Sequence, residues 1–282
     1  MRIGKERVKN FFVSLLWLKM AGCAAGLPEL KVLGPGEELV TLATRPGVTV
    51  RVLLISPNTP PKGLFLFFHG GEGSLVSIEG RSKSFFARLF REQGFITALV
   101  DVPSDRPYGV TGTDPFRVSK EHLEDVKTVI DFLSQKWSES IYLIGHSAGT
   151  TSVAYLAAVL KDHRIGGVVL TGALGNSPPG RVSLATLPLQ DIVYPALFVH
   201  HKDDECASFS AAWQQHGRLV NSPRVNFIEV LGGDRSRAIG CSPRDPSRGM
   251  SYVHGFSGKE REVVTAITDW VTGKPVPDRI GP

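Results

Sequence analysis

The sequence lacks a short repeat and a long hydrophobic run, and each absence excludes a class of protein. Its 30 glycines and 19 prolines follow no short period, which excludes collagen-like and low-complexity chains. No hydrophobic run reaches the length that a permanent membrane-spanning helix needs. Hydrophobic residues make up 42% and charged residues 21% of the 282 positions, which is enough apolar side chain for a packed core and argues against disorder. No second core is apparent, so one main domain is expected.

The folded body also lacks an excess of positive charge. Residues 1–22 contain five of the 32 basic residues and one of the 27 acidic residues, which leaves 27 basic and 26 acidic residues in the remainder. The net charge of +5 therefore belongs mostly to the N-terminus. Without a basic body there is no electrostatic argument for a nucleic-acid partner, and none is predicted.

The N-terminus has the pattern of an export signal. Residues 1–10 are basic, residues 11–18 are apolar apart from one serine, and Lys19 and Met20 are followed by the small residues at 21–25. This order is typical of a secretory signal. The tetrapeptide Met-Ala-Gly-Cys at 20–23 resembles a bacterial lipoprotein signal, which would make Cys23 the lipidated residue and the protein a periplasmic or membrane-anchored lipoprotein. Two alternatives stay open: simple cleavage, or an amphipathic helix that is retained.

The remaining chain alternates strands and helices. We predict an export segment at 1–23, a linker at 24–37, one domain at 38–273 and a C-terminal tail at 274–282. Alternation of this kind indicates βαβ units in a mostly parallel sheet, with helices on both faces. Two strands around the turn at 44–47 would add an antiparallel edge. The strands are predicted at 38–43, 48–56, 63–68, 95–100, 141–144, 167–170, 195–200 and 225–230, and the helices at 82–94, 120–137, 148–160, 208–219 and 259–272.

A Gly-His-Ser-Ala-Gly motif at 145–149 lies between a short apolar strand and a helix, and it occurs once. In this arrangement the turn exposes the hydroxyl of Ser147 above the sheet, and the helix N-terminus favours negative charge beside it. The alternative interpretation is a glycine-rich turn with no catalytic role.

With this motif in this context, the chain resembles the α/β-hydrolase superfamily, and its serine esterases in particular. The resemblance implies an α/β-hydrolase fold and the chain order oxyanion loop, nucleophile, acid and histidine. The sequence His-Gly-Gly-Glu-Gly at 69–73 follows a buried strand and is similar to the HGGG loop of esterases, with Glu72 in place of a glycine. The resemblance makes the backbone N–H groups of Gly71 and Ala148 the expected oxyanion hole.

The resemblance also implies an acid just after a late strand and a histidine before the last helix. In family members the acid often follows a histidine of this strand by four residues. Counted from His200, this spacing gives Asp204 as the acid, with Asp203 as the alternative. Of the eight histidines, only His254 lies beyond the strand at 225–230, where this fold delivers its catalytic base. The expected triad is therefore Ser147, His254 and Asp204.

Two further predictions concern cysteines and metals. Cys206 and Cys241 are the cysteines left if Cys23 is lipidated or removed, and an exported protein can hold them as a disulfide; two unrelated buried thiols are the alternative. The neighbouring histidines at 200 and 201 point to opposite faces of a strand, so no metal site is predicted, and no cofactor.

The interval at 171–194 has room for one short helix and no large cap domain. An open site of this kind suits a small-molecule acyl substrate. The predicted function is a serine hydrolase of the carboxylesterase type that acts on an ester or related acyl bond. The alternatives are a peptidase or acyltransferase with the same triad, and a non-catalytic envelope binding protein with this fold.

Overall fold

The structure is a computed structural model, and part of the chain lies outside the residues that it describes. The predicted export segment, with Cys23, and also Cys241 lie outside them. In the described part, no helix combines the length and the apolar character needed to cross a membrane. The described residues are 33–71, 73–75, 83–106, 114–178, 181–234 and 253–282.

In the described residues a sheet of nine strands has the order β1-β2-β4-β3-β5-β6-β7-β8-β9. The strands β1 and β2 are antiparallel to their neighbours, and every other adjacent pair is parallel. The predicted mostly parallel sheet with an antiparallel edge is therefore confirmed. The strands are β1 (Glu37–Arg45), β2 (Val48–Ile55), β3 (Leu64–Phe68), β4 (Ile96–Pro103), β5 (Ile141–His146), β6 (Ile165–Thr171), β7 (Ala196–His201), β8 (Val225–Val230) and β9 (Arg279–Ile280).

Helices cover both faces of the sheet because the central strands are apolar on both sides. Along β3, Leu64, Leu66 and Phe68 contribute to one core cluster, while Phe65 and Phe67 contribute to the other. Residues of α2, α3 and α4 pack into the first cluster, and residues of α1 and α5 pack into the second. The helices are α1 (Lys83–Glu92), α2 (Lys120–Lys136), α3 (Gly149–Val159), α4 (Phe209–His216) and α5 (Glu260–Val271).

The segment 274–282 differs from the predicted C-terminal tail. Its strand β9 pairs in parallel with β8, where Glu229 aligns with Arg279 and Val230 with Ile280. The side chain of Ile280 is buried in the second core, and Arg279 forms an ion pair with Glu229. The tail therefore belongs to the domain as an edge strand. Two residues of strand are too short to produce a readable period in the sequence, which is why the prediction ended the domain at 273.

The described residues between β6 and β7 form no large cap domain. The described residues there form two single turns of 3₁₀ helix, Leu184–Thr186 and Leu189–Asp191. The side chains of Leu184 and Leu189 are fully buried in the first core, so both turns lie flat against the body.

Candidate active site

Ser147 occupies a strained turn between β5 and α3. Its φ of 53° is in the left-handed region, which residues other than glycine seldom adopt and which concentrates at functional sites. Its N–H donates to the carbonyl of Thr171, and its carbonyl accepts the hydroxyl of Thr150. These bonds fix the backbone of the turn, while the side chain of Ser147 remains partly accessible.

The two flanking glycines are required by space. A Cβ at Gly145 would lie 2.5 Å from the carbonyl oxygen of Gly149, and a Cβ at Gly149 would overlap the carbonyl oxygen of Phe68. Any side chain at either position would push α3 away from β5 and β3. The two glycines therefore allow the chain to turn directly from β5 into α3.

The predicted oxyanion loop lies directly against Ser147. A Cβ built on Gly70 would lie 2.7 Å from Cβ of Ser147 and 3.3 Å from its Oγ. The N–H of Gly73 donates to the carbonyl of Gly70 at 3.2 Å, which closes the loop as a turn. Gly71 has a φ of 59°, a conformation that glycine adopts without strain.

The backbone N–H groups of Gly71 and Ala148 are available for a ligand. Among the described residues, neither group donates a hydrogen bond. Ala148 immediately precedes α3, so its N–H is at the positive end of that helix. Ala148 is buried, whereas Gly71 is exposed. Two backbone donors without acceptors among the described residues, one in the loop at 70–73 and one next to Ser147, are the arrangement expected of an oxyanion hole.

The structure brings Asp204 and His254 together and leaves Asp203 outside. Oδ2 of Asp204 lies 2.6 Å from Nδ1 of His254, and both side chains are buried. Oδ1 of Asp204 accepts the N–H groups of Cys206 and Ala207. Asp203 is exposed. Of the two candidates for the acid, Asp204 alone is in contact with the histidine in the described contacts.

The surroundings of Asp204 stabilise its ionised form. Burial would raise the pKa of its carboxyl group, but the hydrogen bond and charge of His254 together with His200 and the N–H of Cys206 outweigh burial and hold the pKa below its ordinary value. A carboxylate that stays ionised can orient a histidine and stabilise its protonated form.

His254 lies beside the end of β5, but among the described contacts it does not bond to the hydroxyl of Ser147. Its ring packs on that of His146 with centroids 4.7 Å apart. A Cβ at Gly172 would come within 3.1 Å of the His254 ring, so the ring lies over the end of β6. No hydrogen bond joins Ser147 Oγ to His254 among the described contacts. Such bonds are often long before substrate binds.

His200 and His201 have structural partners that the sequence did not reveal. Nδ1 of His200 accepts the N–H of Ala173, which places the ring proton on Nε2, facing the carbonyl of Ala207 at 2.9 Å and Asp204 Oδ2 at 3.4 Å. Burial lowers the pKa of His200, so this ring is neutral. His201 bonds to the carbonyl of Gly232. The two rings therefore brace the acid turn.

One group of potential metal ligands coincides with the acid and base. Ligand atoms of Asp204, Cys206 and His254 lie within 4.8 Å of one another. The 2.6 Å bond between the carboxylate and the ring nitrogen already occupies two of these atoms. The group is explained by the hydrogen bond between Asp204 and His254 with a sulfur nearby, and it provides no separate reason to place a metal there.

Comparison with known proteins establishes the family. A family model described as the alpha/beta hydrolase fold matches residues 63–219, which is more than half of the chain. The chain therefore belongs to the alpha/beta hydrolase family. No curated protein matches the chain.

Solved structures with the same fold include several hydrolases. Est1E from Butyrivibrio proteoclasticus is 15% identical with a TM-score of 0.56, and the match covers 84% of this chain and 98% of Est1E. A dienelactone hydrolase from Anabaena variabilis is 18% identical with a TM-score of 0.58, covering 84% and 97% of the two chains. The 2,6-dihydroxy-pseudo-oxynicotine hydrolase is 18% identical with a TM-score of 0.60, covering 87% and 71%. At these identities the likeness establishes the fold.

Proposed function

We propose that this alpha/beta hydrolase is a serine hydrolase of the carboxylesterase type. The observation that supports it best is the meeting of three features at one edge of the sheet: the strained Ser147, the buried Asp204–His254 pair, and two N–H donors without acceptors. Several structural neighbours are named as esterases or other hydrolases. That likeness favours an enzyme over a binding protein with the same fold.

The proposed reaction passes through an acyl-enzyme. The neutral ring of His254 takes the proton of Ser147 as the hydroxyl oxygen attacks the carbonyl carbon of the ester. The oxygen that becomes negative is bound by the N–H groups of Gly71 and Ala148, and the ring proton then goes to the leaving alcohol. Water repeats the sequence to release the acid. The ionised Asp204 keeps the ring proton on Nδ1 and stabilises the ring when it becomes charged.

We further propose a small acyl ester as the substrate. The flat 3₁₀ turns between β6 and β7 leave the site without a cap in the described residues. One neighbour, Est1E, was solved with ferulic acid bound, and another is a dienelactone hydrolase; both names refer to compact acyl groups. Compact esters are therefore the first compounds to test.

Export, lipid attachment and the disulfide remain proposals. The basic and apolar order of residues 1–23 supports export, and Cys23 is the proposed site of the lipid. The proposed disulfide joins Cys206 to Cys241. The backbone N–H of Cys206 donates to Asp204, so a covalent bond at this position would restrain the turn that holds the acid.

The function is tested by hydrolysis of p-nitrophenyl esters of increasing acyl length. We expect the full chain to cleave the acetate and butyrate esters, and to cleave long-chain esters poorly. Ser147→Ala should abolish turnover. The matched control is Ser138→Ala, since Ser138 is exposed and outside the site, and it should keep the wild-type rate. Wild-type turnover in a folded Ser147→Ala protein would contradict the proposal.

A further inference from the structure

A buried arginine lies against the predicted oxyanion loop at 69–73. Arg117 belongs to the short 3₁₀ helix Pro115–Val118 and is only 4% exposed. Burying a guanidinium group is costly unless its N–H groups find acceptors. The acceptors of its hydrogen bonds therefore indicate the role of Arg117.

On one side, Arg117 holds the oxyanion loop. Its Nη2 donates to the carbonyl oxygen of Gly71 at 3.1 Å. The carbonyl of the preceding residue, Gly70, already accepts the N–H of Gly73. The two peptide groups that meet at Gly71 are therefore both fixed, one by the closed turn and the other by the arginine. A Cβ at Gly73 would lie 3.1 Å from Nη2, so the loop and the guanidinium group are in close contact.

On the other side, Arg117 holds the nucleophile helix. Its Nη1 donates to the hydroxyl of Ser152 at 3.2 Å. Ser152 is in the first turn of α3, the helix that begins immediately after Ala148, and its side chain is fully buried. One planar guanidinium group thus joins the two segments that supply the two predicted oxyanion donors.

We propose that Arg117 is a positioning residue for the oxyanion hole. By bonding to Gly71 and Ser152 together, it fixes the spacing between the N–H of Gly71 and the N–H of Ala148. The inference rests on the proposed function, because it concerns the same site. It goes beyond that function because it gives a role in catalysis to a residue that holds the two N–H donors in place and does not contact the substrate.

The burial of Arg117 argues against a role in binding substrate. Its guanidinium borders a cavity of about 30 Å³, together with His69, His122 and Ser152. A space of that size has room for one or two water molecules and not for a substrate group. A rigid fork of donors is suited to holding two acceptors at once, which the single ammonium group of lysine does less well.

The guanidinium charge supports the same role. Burial lowers the pKa of Arg117 to about 10, so the side chain stays protonated at neutral pH. A fixed positive charge behind the loop would favour the negative oxygen that develops in front of it. The bonding geometry supports the inference independently of this charge.

The test compares Arg117→Met and Arg117→Lys with the wild type, using p-nitrophenyl acetate and active-site titration. We expect Arg117→Met to lower kcat per titrated site about 10- to 100-fold with KM changed less than about threefold, because displaced donors lose transition-state binding. Arg117→Lys should regain part of kcat. In Arg117→Met the affinity for phenylboronic acid, whose tetrahedral adduct uses the same two N–H donors, should fall together with kcat.

The control is Arg45→Met. Arg45 is also mostly buried, and it forms ion pairs with Asp105 and Asp125, but none of the bonds described for it reaches Gly71 or Ser152. Its loss should lower Tm while leaving kcat per titrated site within about twofold. A purely structural role of Arg117 would give this same result, with fewer active molecules and an unchanged rate for each.

Unchanged kcat per site and unchanged boronate affinity in Arg117→Met would overturn the inference while the proposed function stood. If that variant fails to fold, Arg117→Lys and Ser152→Ala decide the question. Each should lower kcat per site and boronate affinity, and wild-type values in both would overturn the inference. A wild-type protein without esterase activity would instead overturn the proposed function, and this inference with it.

Discussion

Oδ2 of Asp204 lies 2.6 Å from Nδ1 of His254, although the two residues are 50 positions apart in the chain. The contact exists because β7 delivers the acid at its end and the turn before α5 delivers the histidine at the same edge of the sheet. Both side chains are buried, so the bond is shielded from water and fixes the proton on Nδ1. The other ring nitrogen is left as an acceptor, as a general base requires.

The first prediction separates the two neighbouring acids. In Asp204→Asn, the amide oxygen can keep the N–H groups of Cys206 and Ala207, which places the amide N–H₂ against His254 Nδ1. The ring must then carry its proton on Nε2 and cannot accept one from Ser147. We expect turnover to fall about 10⁴-fold.

Asp203→Asn is the matched control for this prediction, because Asp203 is adjacent in sequence and exposed. It should keep turnover within about threefold of the wild type. Steady-state rates per folded molecule provide the comparison. Loss of activity in Asp203→Asn with retention in Asp204→Asn would show that the acid has been assigned to the wrong residue.

The second prediction concerns the strain at Ser147. A left-handed φ costs a residue with a side chain about 1 kcal/mol or more, and glycine adopts it freely. Ser147→Gly should therefore raise the free energy of unfolding by about 1 kcal/mol relative to Ser147→Ala, which keeps a Cβ. Urea unfolding of the two inactive variants gives the difference. Equal stabilities would mean that the turn imposes no backbone strain.

The third prediction concerns acid sensitivity at His122. Burial, with smaller contributions from the charges of Arg117 and Arg45, lowers the pKa of His122 to about 3. Among the described residues its Nε2 has no hydrogen-bond partner, and the ring packs against Phe68 and Phe116. The unfolded chain, in which a histidine titrates near pH 6.5, binds the proton more readily than the folded protein does.

Protonation therefore favours the unfolded chain, and the folded protein loses stability as the pH falls. The contribution of His122 to stability is complete above about pH 6.5 and falls as the pH drops toward about 3, by at most about 1.4 kcal/mol per pH unit. His122→Phe should remove this dependence, so its advantage over the wild type grows between pH 7 and pH 5. The exposed His163 offers the control His163→Gln, which should follow the wild type. Parallel stability curves for His122→Phe and the wild type would refute the prediction.

The fourth prediction is the disulfide between Cys206 and Cys241. It would close a loop of about 35 residues, for which the chain-entropy model gives a stabilisation of roughly 3–4 kcal/mol. Thiol counting on the unfolded, non-reduced protein from an oxidising compartment should find neither thiol free. Cys241→Ser should lower the free energy of unfolding by a similar amount without removing Ser147 chemistry. Free thiols at both positions would contradict the prediction.

The fold and the members of the candidate site were readable because their signals are local. The motif around Ser147 occupies five consecutive residues, and the run before Gly70 is apolar on both faces, which indicates a central strand. The histidine before α5 was found by its place in the chain order. The structure also favours Asp204 over Asp203, a choice that depends on which of two adjacent side chains turns inward.

The supporting contacts could not be predicted, because they join residues that are distant in sequence and carry no pattern of their own. Arg117 meets Gly71 across 46 positions and Ser152 across 35. His200 supports the turn that holds Asp204 through bonds from both ring nitrogens, and the sequence does not show which nitrogen carries the proton. The strand β9 is only two residues long. Such features arise from tertiary packing, and the periodicity of the sequence carries no information about them.

The most direct test of the central claim is to react the full chain with a fluorophosphonate and locate the adduct by peptide mass spectrometry. Fluorophosphonates phosphonylate a serine only when a base activates it and an oxyanion hole receives the phosphoryl oxygen. We expect one adduct, on Ser147, formed rapidly in the wild type and in Ser138→Ala, slowly in Asp204→Asn, and not at all in Ser147→Ala. An unreactive wild type, or an adduct on any other residue, would contradict it.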